Sequence, residues 1–323
     1  MSMELSFAPM EGVTYAAYRK VHRAFFSGAD VYYAPFLAPD REGSFKLKYL
    51  RELLPENNEG VRLVPQVLVN APEPLLAVAG KLRELGYEEL NLNAGCPSGT
   101  VVAKHKGAGM LADPEALDGF LDRVFSSCPL RLSVKTRLGL NAAGEFPALL
   151  EVYKKYPLAS LTVHARDRAG VYKSPVDQDS FALASEGCPF PVIYNGNIFS
   201  VADRDRLLAR FPRTDGIMAG RGAAANPALL RMLRGGRPPE RQELREFHAA
   251  LWDAYLSGGL FGDFAVSRMK ELWYYMIHLF PGSEKEYKRL TRARRPEDYL
   301  SAVQALFTDC DFNGTAAFPG TEA

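Results

Sequence analysis

The sequence predicts an α/β fold, a parallel (β/α)8 TIM barrel followed by a small C-terminal all-helical domain. Eight short, strand-like apolar segments occur in the first 219 residues, and most gaps between them hold a helix-like segment. Such alternation forms parallel sheets through right-handed crossovers, and eight units close into a barrel. An open doubly wound sheet is the alternative. It normally carries a Gly-rich fingerprint after its first strand, where this chain has Ala-Pro-Met-Glu-Gly-Val-Thr (8–14).

The predicted elements follow the period of the apolar residues and the positions of turn-forming residues. The strands cover 5–8, 30–35, 63–68, 89–93, 130–135, 160–164, 190–194 and 215–219. Helices are predicted over 73–85, 114–126 and 200–211, the last with Ser200 as its N-cap. We expect the barrel over residues 1–236, a Gly-Gly-Arg-Pro-Pro linker at 235–239 and the helical domain over 240–310. The small, polar residues 311–323 are expected to form a frayed tail.

Composition excludes several classes of protein. The chain has 323 residues with 39 basic and 38 acidic side chains, which argues against a generally basic protein but leaves room for a local basic groove. No apolar run approaches the roughly 18 residues of a membrane span, and the start lacks the pattern of a signal peptide, so a cytoplasmic protein is expected. Four widely spaced cysteines, without a Cys-x-x-Cys pair, argue against a disulfide framework or a metal site.

Polar residues collect at the predicted carboxyl ends of the strands, where barrels build their active sites. Each has a structural alternative, such as a glutamine that satisfies a neighbouring backbone group, but their occurrence at one end favours a site. The set is Met10, Glu11, Gln66, Asn93, Cys96, Lys135, His164, Arg166, Asn195, Asn197, Gly220, Arg221 and Gly222. Glycines and Arg221 after the last two strands favour a phosphate site over simple turns.

Seven motifs in this order resemble the series found in the tRNA-dihydrouridine synthases. They are Ala-Pro-Met-Glu-Gly-Val-Thr (8–14), Asn-Leu-Asn-Ala-Gly-Cys-Pro (91–97), Lys-His-Lys-Gly-Ala-Gly-Met-Leu (104–111), Val-Lys-Thr-Arg-Leu-Gly (134–139), Thr-Val-His-Ala-Arg (162–166), Asn-Gly-Asn-Ile (195–198) and Ile-Met-Ala-Gly-Arg-Gly (217–222). The resemblance implies a metal-free, non-membrane enzyme, expected to be monomeric, that reduces the C5=C6 bond of uridines in tRNA. It also implies non-covalent FMN, with NADPH as the reductant.

The resemblance further implies a role for each matching residue. Cys96 would be the general acid that protonates C5, because a thiol keeps its proton at neutral pH, and Asn93 would bind the uracil edge. The flavin contacts would be Pro9, Met10, Gln66, Lys135 and His164 at the ring, and Asn195, Gly196, Asn197, Gly220 and Arg221 at the ribityl and phosphate end. Arg166, Lys104 and Lys106 would face the nucleotide. The chain departs from the family at Asp167, where threonine is common.

Residues 285–295 concentrate six cations against one acid. In a helical domain that resembles a tRNA-binding one, Lys288, Arg289 and Arg292 are expected to contact RNA phosphates, although a solvated helix face is the ordinary explanation of such a run.

Two other functions remain open. The first is a flavin barrel that reduces a free pyrimidine or another small enone, and such an enzyme would not need the helical tail. The second is a catalytically inactive RNA-binding module. FAD is disfavoured as cofactor because the chain lacks a dinucleotide fingerprint. The modified position and the choice between transfer and ribosomal RNA also stay open.

Overall fold

The computed structural model describes residues 3–172, 174–258 and 262–320. Its strands are β1 Glu4–Phe7, β2 Val31–Tyr33, β3 Leu63–Val64, β4 Gln66–Val67, β5 Glu89–Ala94, β6 Arg131–Arg137, β7 Leu161–His164, β8 Val192–Asn195 and β9 Gly216–Ala219. The barrel helices are α1 Ala16–Phe25, α2 Leu47–Leu53, α3 Pro72–Glu84, α4 Gly99–Val102, α5 Pro114–Phe125, α6 Phe146–Lys154, α7 Gln178–Gly187, α8 Val201–Arg210, α9 Arg221–Ala225 and α10 Leu229–Leu233. The helices that follow are α11 Arg241–Ser257, α12 Gly262–Met276, α13 Glu284–Arg292 and α14 Pro296–Asp309.

The strands form a nearly closed parallel barrel in the order β3-β2-β1-β9-β8-β7-β6-β5-β4. The two end strands, β3 and β4, are parts of one chain segment that is divided at Pro65, a residue without a backbone N–H to donate. β3 pairs with β2, and β4 pairs with β5. Leu37 links the two sides, because it bridges Val67 and its N–H donates to the carbonyl of Gln66 over 2.8 Å. The predicted barrel is confirmed, with strand 63–68 split in two.

Local sequence explains where the outer helices begin. Proline occupies the first turn of α3, α5 and α14, where its missing N–H costs no hydrogen bond. The Asp113 side chain caps α5 by accepting from the N–H groups of Glu115 and Ala116. Ser200 caps α8, as predicted, by accepting from the N–H of Asp203. These signals are local, which explains why the three predicted helices match the structure to within two residues.

The C-terminal helices pack directly on the barrel. Phe247 of α11 contacts the rings of Tyr18, His22 and Phe25 on α1 and of Phe26 just after it. One continuous apolar core runs through the barrel helices and the helical tail. The two predicted regions therefore share a core, joined by an irregular connection over residues 234–240. No helix among the described residues is both long and apolar enough to cross a membrane.

The expectation of a frayed tail is wrong for residues 311–320, and residues 321–323 lie outside the described residues. The N–H of Asn313 donates to the carbonyl of Leu279 over 2.9 Å, and the Asn226 side chain donates to the carbonyl of Gly314 over 2.8 Å. Phe318 is 8% exposed. The segment is small and polar in composition, but these few anchors hold it against both the barrel and the helices.

Candidate active site

An open cleft lies at the carboxyl ends of the barrel strands and gathers most of the predicted site. Nine of the ten predicted flavin contacts line it: Pro9, Met10, Gln66, Lys135, His164, Asn195, Gly196, Gly220 and Arg221. Cys96 and Asn93 line the same cleft. The tenth, Asn197, is not among the lining residues, and its Oδ1 accepts hydrogen bonds from Arg166 (3.0 Å) and Arg221 (3.1 Å).

The loop that carries Cys96 is held from several sides. Asn93 Oδ1 accepts from the N–H groups of Gly95 (3.1 Å) and Cys96 (2.9 Å). The carbonyl of Gly95 accepts from Arg137 Nε over 2.8 Å, and that of Pro97 accepts from Arg168 Nε over 3.2 Å. These contacts fix the backbone on both sides of a partly exposed free thiol.

A chain of buried amides supports this loop from inside the barrel. Asn93 Nδ2 donates to Gln66 Oε1 (2.8 Å), and Gln66 Nε2 donates to Asn91 Oδ1 (2.7 Å). Asn91 Nδ2 then donates to Ser133 Oγ over 3.0 Å. Because a buried amide left unpaired is costly, this chain fixes the side-chain orientations of β4 and β5. Asn93 already uses its Oδ1 to hold the Cys96 loop and one Nδ2 hydrogen to bond Gln66. The predicted contact with the uracil edge would therefore use its other Nδ2 hydrogen.

Positive charge dominates the floor of the cleft. Burial, together with repulsion from Arg137, lowers the pKa of Lys135 to about 7, and interaction with Cys96 offsets part of this lowering. Burial likewise brings the pKa of His164 well below its usual value, with Arg137 and Lys135 adding repulsion. His164 is therefore neutral at pH 7, and its Nε2 lies 3.4 Å from Arg166 Nη1. An arginine can only donate, so the imidazole proton lies on Nδ1.

Arg166 is buried beside the cleft and is held by internal hydrogen bonds. It is 1% exposed and is not a lining residue of the cleft. Its Nε donates to the carbonyl of Ser174 (2.6 Å), and its Nη2 donates to Asn197. The guanidinium thus ties the end of β7 to the loops after β7 and β8. Asp167 also has an internal partner, because its Oδ1 accepts from the N–H of Gly170 over 2.7 Å.

Glycines allow the loops after β8 and β9 to approach each other. A Cβ added to Gly222 would lie 2.2 Å from the carbonyl oxygen of Ile198, and one added to Gly196 would lie 2.4 Å from Tyr194 Oη. A Cβ on Gly220 would lie 3.3 Å from Ala8 Cβ, beside the cleft. Larger residues would not fit at these positions without shifting their neighbours, and Arg221 supplies a cation at the same end of the cleft. Of the charged lining residues, Lys135, Arg137 and Arg221 are basic and only Glu11 is acidic.

The remaining predicted contacts lie outside the cleft lining. Lys104 is exposed and Lys106 is half-buried in the segment that follows the Cys96 loop. Lys288, Arg289 and Arg292 are exposed on α13. In the described part of the chain, no group of three His, Cys, Asp or Glu side chains is arranged to hold a metal ion.

Sequence reasoning missed Arg137, Tyr172, Phe36 and Phe199 among the lining residues. Arg137 is 2% exposed, and its Nη1 also donates to the carbonyls of Asp167 (2.9 Å) and Val171 (3.2 Å). Its position two residues after Lys135 on the same strand was the available signal, since both side chains point to one face. The three aromatic residues lie in loops whose paths no local pattern predicts.

Comparisons with known proteins give relatives for this arrangement. Residues 6–257 match the family model of dihydrouridine synthase (Dus). A tRNA-dihydrouridine(16) synthase of Cupriavidus necator is 34% identical over 57% of this chain, and the chain spans just over half of it, 58%. The tRNA-dihydrouridine synthase B of Pseudomonas aeruginosa is 26% identical to this chain, and the alignment covers 96% of this chain and 95% of that protein. A tRNA-dihydrouridine(16) synthase of Aquipseudomonas alcaligenes is 28% identical over 93% of this chain and 99% of that protein.

The fold also has a solved neighbour. The crystal structure of TcOYE with pHBA, an old yellow enzyme, superposes with a TM-score of 0.51 at 10% identity, covering 74% of this chain and 92% of that one. This likeness concerns the barrel fold alone. Since the family model covers residues 6–257, well over half of the chain, the chain belongs to the dihydrouridine synthase (Dus) family.

Proposed function

We propose that this protein reduces the C5=C6 bond of specific uridines in tRNA to 5,6-dihydrouridine, with FMN as cofactor, NADPH as reductant and Cys96 as general acid. Family membership and the names of the relatives support the reaction class. The observation that carries the proposal is the position of Cys96, on a braced loop at the edge of a cationic cleft that Lys135 and His164 also line. A barrel that reduced only free pyrimidines would have no need of the exposed cations Lys288, Arg289 and Arg292 on α13.

The cleft fits a phosphorylated flavin by the chemistry of its lining. Gly196, Gly220 and Arg221 would hold the phosphate and ribityl end, where small residues leave space and a guanidinium supplies charge. Pro9 and Met10 would pack beside the ring. Lys135 would stabilise negative charge at the ring edge. When bound and reduced, FMN supplies the hydride for C6.

Cys96 would deliver the accompanying proton to C5 of the base. The bonds from Asn93, Arg137 and Arg168 hold its loop, so the sulfur needs little reorganisation to reach a substrate. His164, neutral and with its proton on Nδ1, would serve as a hydrogen-bonding group rather than as a second acid.

The RNA would contact two basic regions. Lys104 and Lys106 follow α4, the short helix after the Cys96 loop, and the Asn70 side chain holds this segment by donating to the carbonyl of Lys104 over 2.9 Å. Lys288, Arg289 and Arg292 would bind phosphates farther from the reacting base. A stacked uridine must be turned into the cleft at a cost of a few kcal/mol, which such contacts offset.

Mass-spectrometric mapping of dihydrouridine in RNA from a strain without this gene tests the proposal. We expect dihydrouridine to disappear from one or a few tRNA positions and to return when the gene is restored. An unchanged tRNA pattern would contradict the proposed reaction. Loss confined to ribosomal RNA would retain the chemistry but contradict the proposed substrate.

A further inference from the structure

Residues 311–320 connect the helical domain to the phosphate end of the cleft. Phe312 packs on Phe280, with ring centroids 5.4 Å apart, and anchors the beginning of the segment. At the far end, a Cβ on Gly320 would lie 2.8 Å from the ring of Phe199, a residue that lines the cleft. The segment therefore crosses from α14 to the loop after β8.

Phe318 fills an aromatic socket between these two points. Its ring lies 5.7 Å from that of Phe199, 5.7 Å from that of Tyr275 and 5.1 Å from that of His278. Tyr275 belongs to α12, and His278 belongs to the 3-10 turn Ile277–Leu279 that follows it. The socket thus joins the helical domain to the barrel, and Phe318 is its buried centre.

Arg221 lies against the same rings. Its Cζ is 4.2 Å from the ring centre of Tyr172, 5.3 Å from that of Phe199 and 5.7 Å from that of Phe318. Its hydrogen-bond partner is Asn197 Oδ1, and no carboxylate of the described residues forms an ion pair with it. Aromatic faces orient a guanidinium without neutralising it. The charge of Arg221 therefore remains available to an anion in the cleft.

We propose that Phe318 is a positioning residue that, together with Phe199, holds the Arg221 guanidinium in place for the phosphate of the flavin. This inference rests on the proposed function, because it assumes that the cleft binds FMN. It assigns a role in cofactor binding to a segment far from the barrel in sequence. Phe318 is not one of the residues that line the cleft, so its influence on flavin binding would pass through Arg221 and would concern the phosphate end alone.

Comparison of FMN with riboflavin, which lacks the phosphate, isolates this role. Both ligands are titrated into flavin-free, full-length protein, and dissociation constants are measured from the change in flavin fluorescence. We expect Phe318→Ala to weaken FMN binding about fivefold to tenfold, the range of a partly desolvated cation–π contact, and to change riboflavin binding less than about twofold. A general loss of structure would weaken both ligands equally.

Phe312→Ala is the matched control. It removes the same ring from the same segment, but Phe312 packs on Phe280 and Arg241 rather than on Arg221. We expect Phe312→Ala to lower the thermal unfolding midpoint without changing the preference for FMN over riboflavin. Phe318→Leu, which keeps apolar bulk without a π face, provides the second variant should Phe318→Ala fail to fold, and it should also lose part of that preference.

The outcomes separate the two proposals. An unchanged preference in both Phe318 variants, an equal loss of both ligands, or the same FMN-specific loss in Phe312→Ala would overturn the role of Phe318. A parent protein that binds neither flavin would overturn the proposed cofactor and this inference with it. A parent that prefers FMN, with no specific loss in the variants, would leave the cofactor proposal standing and overturn only the inference.

Discussion

At the scale of single residues, the position of Cys96 depends on neighbours from several parts of the chain. Asn93 belongs to β5, Arg137 to β6 and Arg168 to the loop after β7, and each bonds the backbone of the Cys96 loop. The carbonyl of Cys96 itself accepts from the N–H of Ala108 over 3.1 Å. A general acid works at hydrogen-bond distance from its target, so an error of about 1 Å in this loop would be costly.

Gly107 gives the sharpest test of this bracing. Its φ is +56°, and a Cβ there would lie 2.9 Å from both Cβ and the carbonyl oxygen of Cys96. Gly107→Ala should therefore displace the loop and slow tRNA reduction by about tenfold or more, while reduction of the bound flavin by NADPH continues. Gly60→Ala is the control, because Gly60 has a φ of +73° but nothing lies within 4 Å of its added Cβ.

Both substitutions should lower the free energy of unfolding by about 1–2 kcal/mol through backbone strain, as measured by denaturant titration. Only Gly107→Ala should lose RNA activity. Equal RNA activity in the two variants would show that contact with Cys96 does not matter.

The sequence predicts which residues lie at the site better than it predicts the hydrogen bonds that those residues form. Strand ends in a barrel predict which positions meet, and Cys96, Lys135 and His164 do line one cleft. Asn93 also lines it and Arg166 lies beside it, but their polar atoms bond to groups from other strands and loops. Such pairings depend on distances between segments far apart in the chain, so no motif spacing reveals them.

At the scale of elements, the charged helix α13 has one face packed against the protein and one face exposed to solvent. Leu290 is fully buried, whereas Lys288, Arg289 and Arg292 are exposed. The Arg289 side chain makes a single hydrogen bond to the described residues, 3.4 Å to Ser301 Oγ. The exposed face therefore carries cations that packing does not require.

Replacing Lys288, Arg289 and Arg292 together with glutamine should weaken tRNA binding. Each phosphate contact that is lost should reduce the magnitude of the slope of log K against log salt by nearly one unit. We therefore expect the slope of the triple variant to be smaller by about two to three units. A matched control replaces Lys20, Arg23 and Arg51, three exposed cations on or beside α1 and α2. Binding titrations at several salt concentrations provide the measurement. Parent-like slopes in the α13 variant would identify this helix as a solvated face only.

The divided strand at Pro65 marks the limit of prediction at this scale. The apolar run 63–68 predicts a strand, and Pro65 is visible in it. That its two halves would pair with different neighbours, β2 and β5, depends on closure of the whole barrel. Helix starts were predictable because caps and prolines act locally, whereas strand pairing joins distant segments.

At the scale of the whole molecule, the barrel and the helical tail behave as one packed unit. Their apolar side chains form a continuous core, and residues 311–320 return to the barrel beside the cleft. The sequence predicted both regions from periodicity but not the contact between them, because an apolar helix face does not specify its partner. The composition of residues 311–323 predicts a frayed tail, yet backbone hydrogen bonds and the rings of Phe312 and Phe318 anchor residues 311–320.

The most direct test of the central claim separates the two half-reactions in Cys96→Ala. The parent and the variant are loaded with FMN, reduced with NADPH and then mixed with tRNA that lacks dihydrouridine. Bleaching of the flavin absorbance reports the first step, and mass spectrometry of the tRNA reports the second. We expect normal flavin reduction in the variant and a loss of dihydrouridine formation of roughly a hundredfold or more. Near-parental dihydrouridine formation by Cys96→Ala would contradict its role as the general acid, and loss of flavin binding would instead make the cysteine structural.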